Sequence, residues 1–226
     1  RYAIFSVGHL DRISSVVNIL SRAVLVRTVQ RFVTSCVLAM TCIAWAAAQP
    51  PAHAEAQQAF WKQLTQLCGQ AFAGEMAVYD PLEDADWVDQ PMKIHARVCR
   101  DDEIQIPLVV GDDRSRTWVV TRRPAGLRLK HVHRHADGSL DAVSWYGGQT
   151  TDRGTASRQA FAVDAYSRSL FYAEGLDVSV SNIWYIEIDP GRSLAYGLTR
   201  PERHFRAEFN LAEPVEPPPA PWGDAP

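Results

Sequence analysis

Three histidines stand at alternate positions in the stretch Leu127-Arg128-Leu129-Lys130-His131-Val132-His133-Arg134-His135. Side chains alternate along a strand, so His131, His133 and His135 share a face with Leu127 and Leu129. The two leucines turn that face inward, and Arg128, Lys130 and Arg134 take the outer one. Three readings stand open. The imidazoles can hold a metal such as Zn²⁺ or Cu²⁺. Same-face neighbours lie ~6.5 Å apart, so sharing one ion requires the strand to bend. They can instead line a ligand pocket at the mouth of a barrel, His131 and His133 together with Tyr146 and Trp118. Or they are polar positions where a strand leaves the core near a turn.

The element that would position them is a hairpin. Asp137-Gly138 is a strong turn signal. A two-residue loop there sets His135 opposite Leu140, His133 opposite Ala142, His131 opposite Ser144 and Leu129 opposite Tyr146. On the outer face Arg134 then meets Asp141, and Lys130 meets Trp145, both sensible cross-strand pairs.

Most of the remaining chain has the same period of two. Met92, Ile94, Ala96 and Val98 alternate with polar residues, as do Ile104, Ile106, Leu108 and Val110. Pro107 inside the second run places that strand at an edge or a bulge. Further strands are expected at 116–122, 127–135, 140–146, 159–163, 178–188, 194–198 and 205–211. Residues 56–72 have helical spacing, with Phe60, Leu64, Leu67, Cys68 and Phe72 on one stripe and Gly74 as the stop. A short helix is expected at 167–174. Without crossover helices the sheet must be antiparallel. Some nine or ten sequential strands then predict an up-and-down β-barrel with one helix at an end; a β-sandwich is the alternative.

Arg27 and Arg31 precede an apolar run from Phe32 to Ala48, followed by Ala46-Ala47-Ala48 and Ala52-His53-Ala54. Basic start, apolar middle and small-residue end describe a secretory signal peptide. Residues 1–54 are thus expected to be a leader, 1–25 being an over-extended reading frame or upstream fragment. Residues 55–212 are expected to be one β-rich domain, and 213–226 a disordered Pro-rich tail. The whole chain has 23 basic and 26 acidic residues, net −3; from 55 onward these counts are 18 and 25, net −7. An acidic surface argues against nucleic-acid or anionic-membrane partners. Only Cys68 and Cys99 remain beyond the leader. In an exported chain two cysteines suggest one disulfide, with two buried free thiols as the alternative.

Other constellations are weaker. Arg114, Arg116 and Arg122 with Asp112 and Asp113 read as a charged hairpin or an anion rim. Trp118, Trp145, Trp184, Tyr185 and Tyr196 read as core or as a cavity lining. The carboxylates of 80–89 lack the spacing and glycine of an EF-hand. No nucleophile elbow, P-loop, dinucleotide fingerprint or C-x-x-C is present, and no motif assigns a cofactor or an activity.

Phe60-Trp61-Lys62 with Leu67-Cys68-Gly69, the stretch 113–119 (DRSRTWV), the histidine segment 127–138, Tyr146-Gly147-Gly148 and Arg200-Pro201 together resemble an uncharacterised family of exported bacterial proteins, over roughly residues 60–212. The resemblance implies export and brings no activity. The likeness to lipocalins is one of architecture only. Three functions follow as expectations: an exported barrel that binds a small apolar or haem-like ligand, a metal-dependent enzyme using His131, His133 and His135, or a structural envelope protein.

Overall fold

The computed structural model describes residues 52–225. The expected leader falls outside the described residues, apart from Ala52–Ala54 at the start of the first helix.

Helix α1, Ala52–Thr65, is followed by eleven strands: β1 Ala71–Val78, β2 Met92–His95, β3 Val98–Cys99, β4 Glu103–Val110, β5 Asp113–Arg123, β6 Gly126–His133, β7 Tyr146–Gln149, β8 Arg158–Val163, β9 Ile183–Asp189, β10 Ser193–Arg200 and β11 Arg203–Val215. Helix α2, Ala165–Ala173, lies between β8 and β9. Every pairing is antiparallel. β1 joins β11 on one side and β2 on the other, while β2 pairs with β4, so ten strands close into a barrel and β3 extends the β4 edge. Closure satisfies the backbone groups that an open sheet would leave at its edges.

Pro107 lies where β4's partner is broken between β2 and β3, as a residue without a ladder donor requires. The alternating apolar positions fill the interior. Ile104, Ile106, Leu108, Trp118, Val120, Leu127, Leu129, Trp184, Ile186, Phe205 and Phe209 belong to one buried cluster. One end of the barrel is stopped by α1, whose Phe60 and Leu64 are fully buried. Gln57 Nε2 of α1 donates to Thr150 Oγ1 and to the carbonyl of Asp152, each at 3.1 Å.

Several sequence expectations are corrected. The first helix ends at Thr65, not Phe72. Gly69, at φ +79°, turns the chain and donates to the carbonyl of Ala96, and Phe72 belongs to β1. Residues 178–181 lie in a 3-10 helix, Asp177–Ser181, and β9 starts only at Ile183. The tail is placed rather than loose: β11 runs on to Val215, Trp222 N–H donates to the carbonyl of Arg114, and Arg114 Nη1 reaches the carbonyl of Ala220.

The largest correction concerns the hairpin. His135 N–H donates to the carbonyl of Ser139 and Gly138 takes φ +85°, which makes a three-residue loop instead of a two-residue one. Arg134 bridges to Leu140, yet His131 pairs with Tyr146, so residues 141–145 bulge opposite 132–133. Asp141 holds the bulge by accepting from Val143 N–H at 2.7 Å. Ser144 Oγ accepts the His133 N–H that the missing strand residue would have taken. Leu129 therefore faces Gly148 and Lys130 faces Gly147. Lys130 pairs with Asp164, the N-cap of α2, and not with Trp145; Arg134 reaches the carbonyl of Gly138.

Candidate functional site

The bulge brings Tyr146 opposite His131, and their rings stack with centroids 4.7 Å apart. Around that pair lies a cavity of about 270 Å³ at the end of the barrel opposite α1. Its walls come from the β1–β2, β6–β7, β8–β9 and β10–β11 connections and from the strand ends beside them. Trp87, Tyr146, Phe171, Trp184, Tyr196 and Phe205 supply aromatic surface, and Leu176 and Leu198 add aliphatic surface. Trp87 meets Phe205 edge-on at 5.4 Å, and Tyr146 lies 5.4 Å from Phe171 and 5.8 Å from Trp184. Such aromatic contacts hold a cavity wall in place.

A chain of hydrogen bonds forms the floor. His131 Nδ1 lies 3.3 Å from the carbonyl of Tyr146, and His131 Nε2 lies 2.7 Å from the Tyr196 hydroxyl. A carbonyl only accepts, so Nδ1 carries the ring proton, Nε2 is bare, and Tyr196 donates to it. The Tyr146 hydroxyl is 3.1 Å from His133 Nε2. Burial keeps both rings neutral. His131 is pushed down to about 3, by burial first and by His133 second. His133 is pushed down to about 4, by burial and then by the Arg116 guanidinium. Burial raises the Tyr146 hydroxyl to about 12 and also raises that of Tyr196. The floor is thus uncharged and hydrogen-bonded at neutral pH.

Charge sits at the rim and is already paired. Arg203 contacts Glu83 at 2.9 Å and Asp84 at 2.6 Å, and Arg200 contacts Glu83 at 3.2 Å. Arg116 lies over the Trp87 ring at 4.8 Å and pairs with Asp113. Asn182, only 4% exposed, is one of the lining residues, and its Oδ1 is buried without a hydrogen-bond partner.

Of the residues singled out in the sequence, His133, Tyr146, Trp184 and Tyr196 line the cavity. His131 and Trp118 lie one layer deeper: His131 stacks on Tyr146, and Trp118 stacks on Tyr196 at 4.2 Å. His135 is 58% exposed past the end of β6 and lies 3.8 Å from Asp141. The three histidines do not converge on one point. Among the described residues no group of three His, Cys, Asp or Glu is placed to hold a metal ion. Asp84, Asn182, Arg200 and Arg203 were not singled out as ligand contacts, because their place at the mouth depends on loop paths that local pattern does not encode. The Cys68–Cys99 disulfide is present, with Cα atoms 6.1 Å apart, and ties the turn after α1 to β3.

No family model, curated protein or solved structure matches the chain. No helix among the described residues is long and apolar enough to cross a membrane.

Proposed function

We propose that this is an exported barrel protein that holds a small, largely apolar molecule in its mouth. The observation that carries the proposal is the 270 Å³ cavity with aromatic walls and a neutral, hydrogen-bonded floor. Ligand sites are mostly apolar concavities with a few placed polar groups, at ~300–1,000 Å³ for drug-sized ligands. This cavity lies just below that range, which favours a ligand on the order of one or two rings over a haem. The disulfide and the residue pattern of 27–54 support an oxidising, exported location.

A fluorescence titration with N-phenyl-1-naphthylamine, which brightens in apolar surroundings, tests the binding. Expected is saturable binding at one site, lost in Leu198→Trp, whose larger side chain fills the mouth, at an unchanged melting temperature. Absence of binding, or equal binding by both proteins, contradicts a ligand site at the mouth.

A further inference from the structure

We infer that Arg200 and Arg203 form an anion clip at the mouth, and that the ligand is a small apolar monocarboxylate whose carboxylate takes the place of Glu83 between the two guanidinium groups. The inference rests on the mouth being a ligand site and adds the chemical class.

Strand alternation places both arginines on the inner face. Arg200 follows Leu194, Tyr196 and Leu198 at every second position of β10, and Arg203 precedes Phe205, Ala207 and Phe209 in the same way on β11. The two are direct cross-strand partners, and both line the cavity. Like charges directly opposite each other repel, so the pair requires an anion between them. That anion is one carboxylate oxygen of Glu83, 2.9 Å from Arg203 Nε and 3.2 Å from Arg200 Nη2. Asp84 holds the other end of the Arg203 guanidinium, at Nη2.

Glu83 is the exchangeable member of this set. The side chains of Arg200, Arg203 and Asp84 are at most 14% exposed, whereas that of Glu83, on the loop between β1 and β2, is 53% exposed. A half-exposed partner adds little to stability, yet the buried guanidinium groups cannot be left without a counter-charge. A ligand carboxylate makes the same charge-assisted hydrogen bonds to the guanidinium forks and returns Glu83 to water. Charge balance makes the ligand a monoanion: Asp84 offsets one of the two cations, and one negative charge offsets the other. The apolar body then lies along Leu198, Phe205 and Trp87, and the Arg203 guanidinium already stands 5.8 Å from the Phe205 ring. The floor offers no rival cation, since His131 and His133 are uncharged at neutral pH.

Isothermal titration calorimetry at pH 7, in a buffer free of carboxylate and phosphate, compares 2-naphthoate with 2-naphthol, an anion and a neutral molecule of one ring system. 2-Naphthoate is expected to bind at least tenfold more tightly. In Glu83→Gln, which removes the internal competitor and keeps both arginines, 2-naphthoate is expected to gain several-fold in affinity while 2-naphthol binds as before. Binding of 2-naphthol as tight as that of 2-naphthoate, or no gain for 2-naphthoate in Glu83→Gln, overturns the clip and leaves the mouth a ligand site. Binding of neither overturns the clip, and absence of N-phenyl-1-naphthylamine binding as well overturns the mouth as a ligand site. The comparison in the unaltered protein decides the class even if Glu83→Gln fails to fold.

Discussion

His131 shows how one residue is set by its surroundings. Its position on the inner face of β6 was legible from the alternation with Leu127 and Leu129. Its partners were not, because they come from β7 and β10 through a bulge and a barrel closure. In the folded protein its ionisation lies near 3, and that of His133 near 4, both below the ordinary 6.5. Between pH 6.5 and those values the unfolded chain binds protons that the native state refuses, so stability falls as pH falls through that window. For His131 the full loss is on the order of 5 kcal/mol, of which about 3 kcal/mol falls between pH 7 and pH 4. Urea denaturation at pH 7 and pH 4 measures it. His131→Phe, which cannot ionise, should lose less stability between the two pH values than the unaltered protein; an equal loss would contradict neutral burial. The metal reading of the three histidines met a geometric obstacle: both nitrogens of His131 are engaged, and His135 has left the strand for solvent.

At the scale of elements, alternation located most strands to within a few residues, because each inward position is buried by a closed barrel. Asp137-Gly138 was correctly identified as a turn, yet its register was not. That register depends on Asp141 and Ser144 satisfying backbone groups inside the bulge, which no period reveals. Gly138 still requires positive φ, and a Cβ there would also lie 3.0 Å from Gly223. Gly138→Val should therefore cost ~1–3 kcal/mol, seen as a lower urea midpoint; an unchanged midpoint would mean the loop is relaxed without glycine. Gly148 marks a tighter constraint, since a Cβ would come within 2.1 Å of the Ala162 carbonyl oxygen. Gly148→Val should prevent β7 from seating between β6 and β8. Gly147 and Gly148 of β7 both admit neighbouring backbones, since a Cβ on Gly147 would come within 2.0 Å of the Leu129 carbonyl oxygen.

Over the whole molecule, sequential antiparallel strands and one helix were enough to anticipate a barrel. The closure through β2 and β4 and the placing of the tail were not, because both join segments remote in sequence. The disulfide closes a loop of 31 residues, worth ~3.7 kcal/mol on the chain-entropy model. Cys68→Ala with Cys99→Ala should lower stability by about that much, and intact-mass measurement after alkylation should show both thiols protected until reduced. The tail packs by Pro221 and Trp222 near the outward Val119 and Val132 of β5 and β6. Ending the chain at Val215 should uncover the valines and cost ~2 kcal/mol, a fall in melting temperature of about 4–8 °C.

The central claim is that the barrel mouth holds a small molecule, and the tryptophans offer the most direct reporter. Trp87 and Trp184 line the cavity, whereas Trp61 packs at the opposite end and Trp145 and Trp222 lie by the tail on the outer wall. Indole N–H signals of the ¹⁵N-labelled protein, followed by NMR as N-phenyl-1-naphthylamine is added, should shift for Trp87 and Trp184 and stay fixed for Trp61, Trp145 and Trp222. Signals that stay fixed for Trp87 and Trp184 at saturating ligand, or shifts confined to Trp145 and Trp222, would contradict a binding site at the mouth.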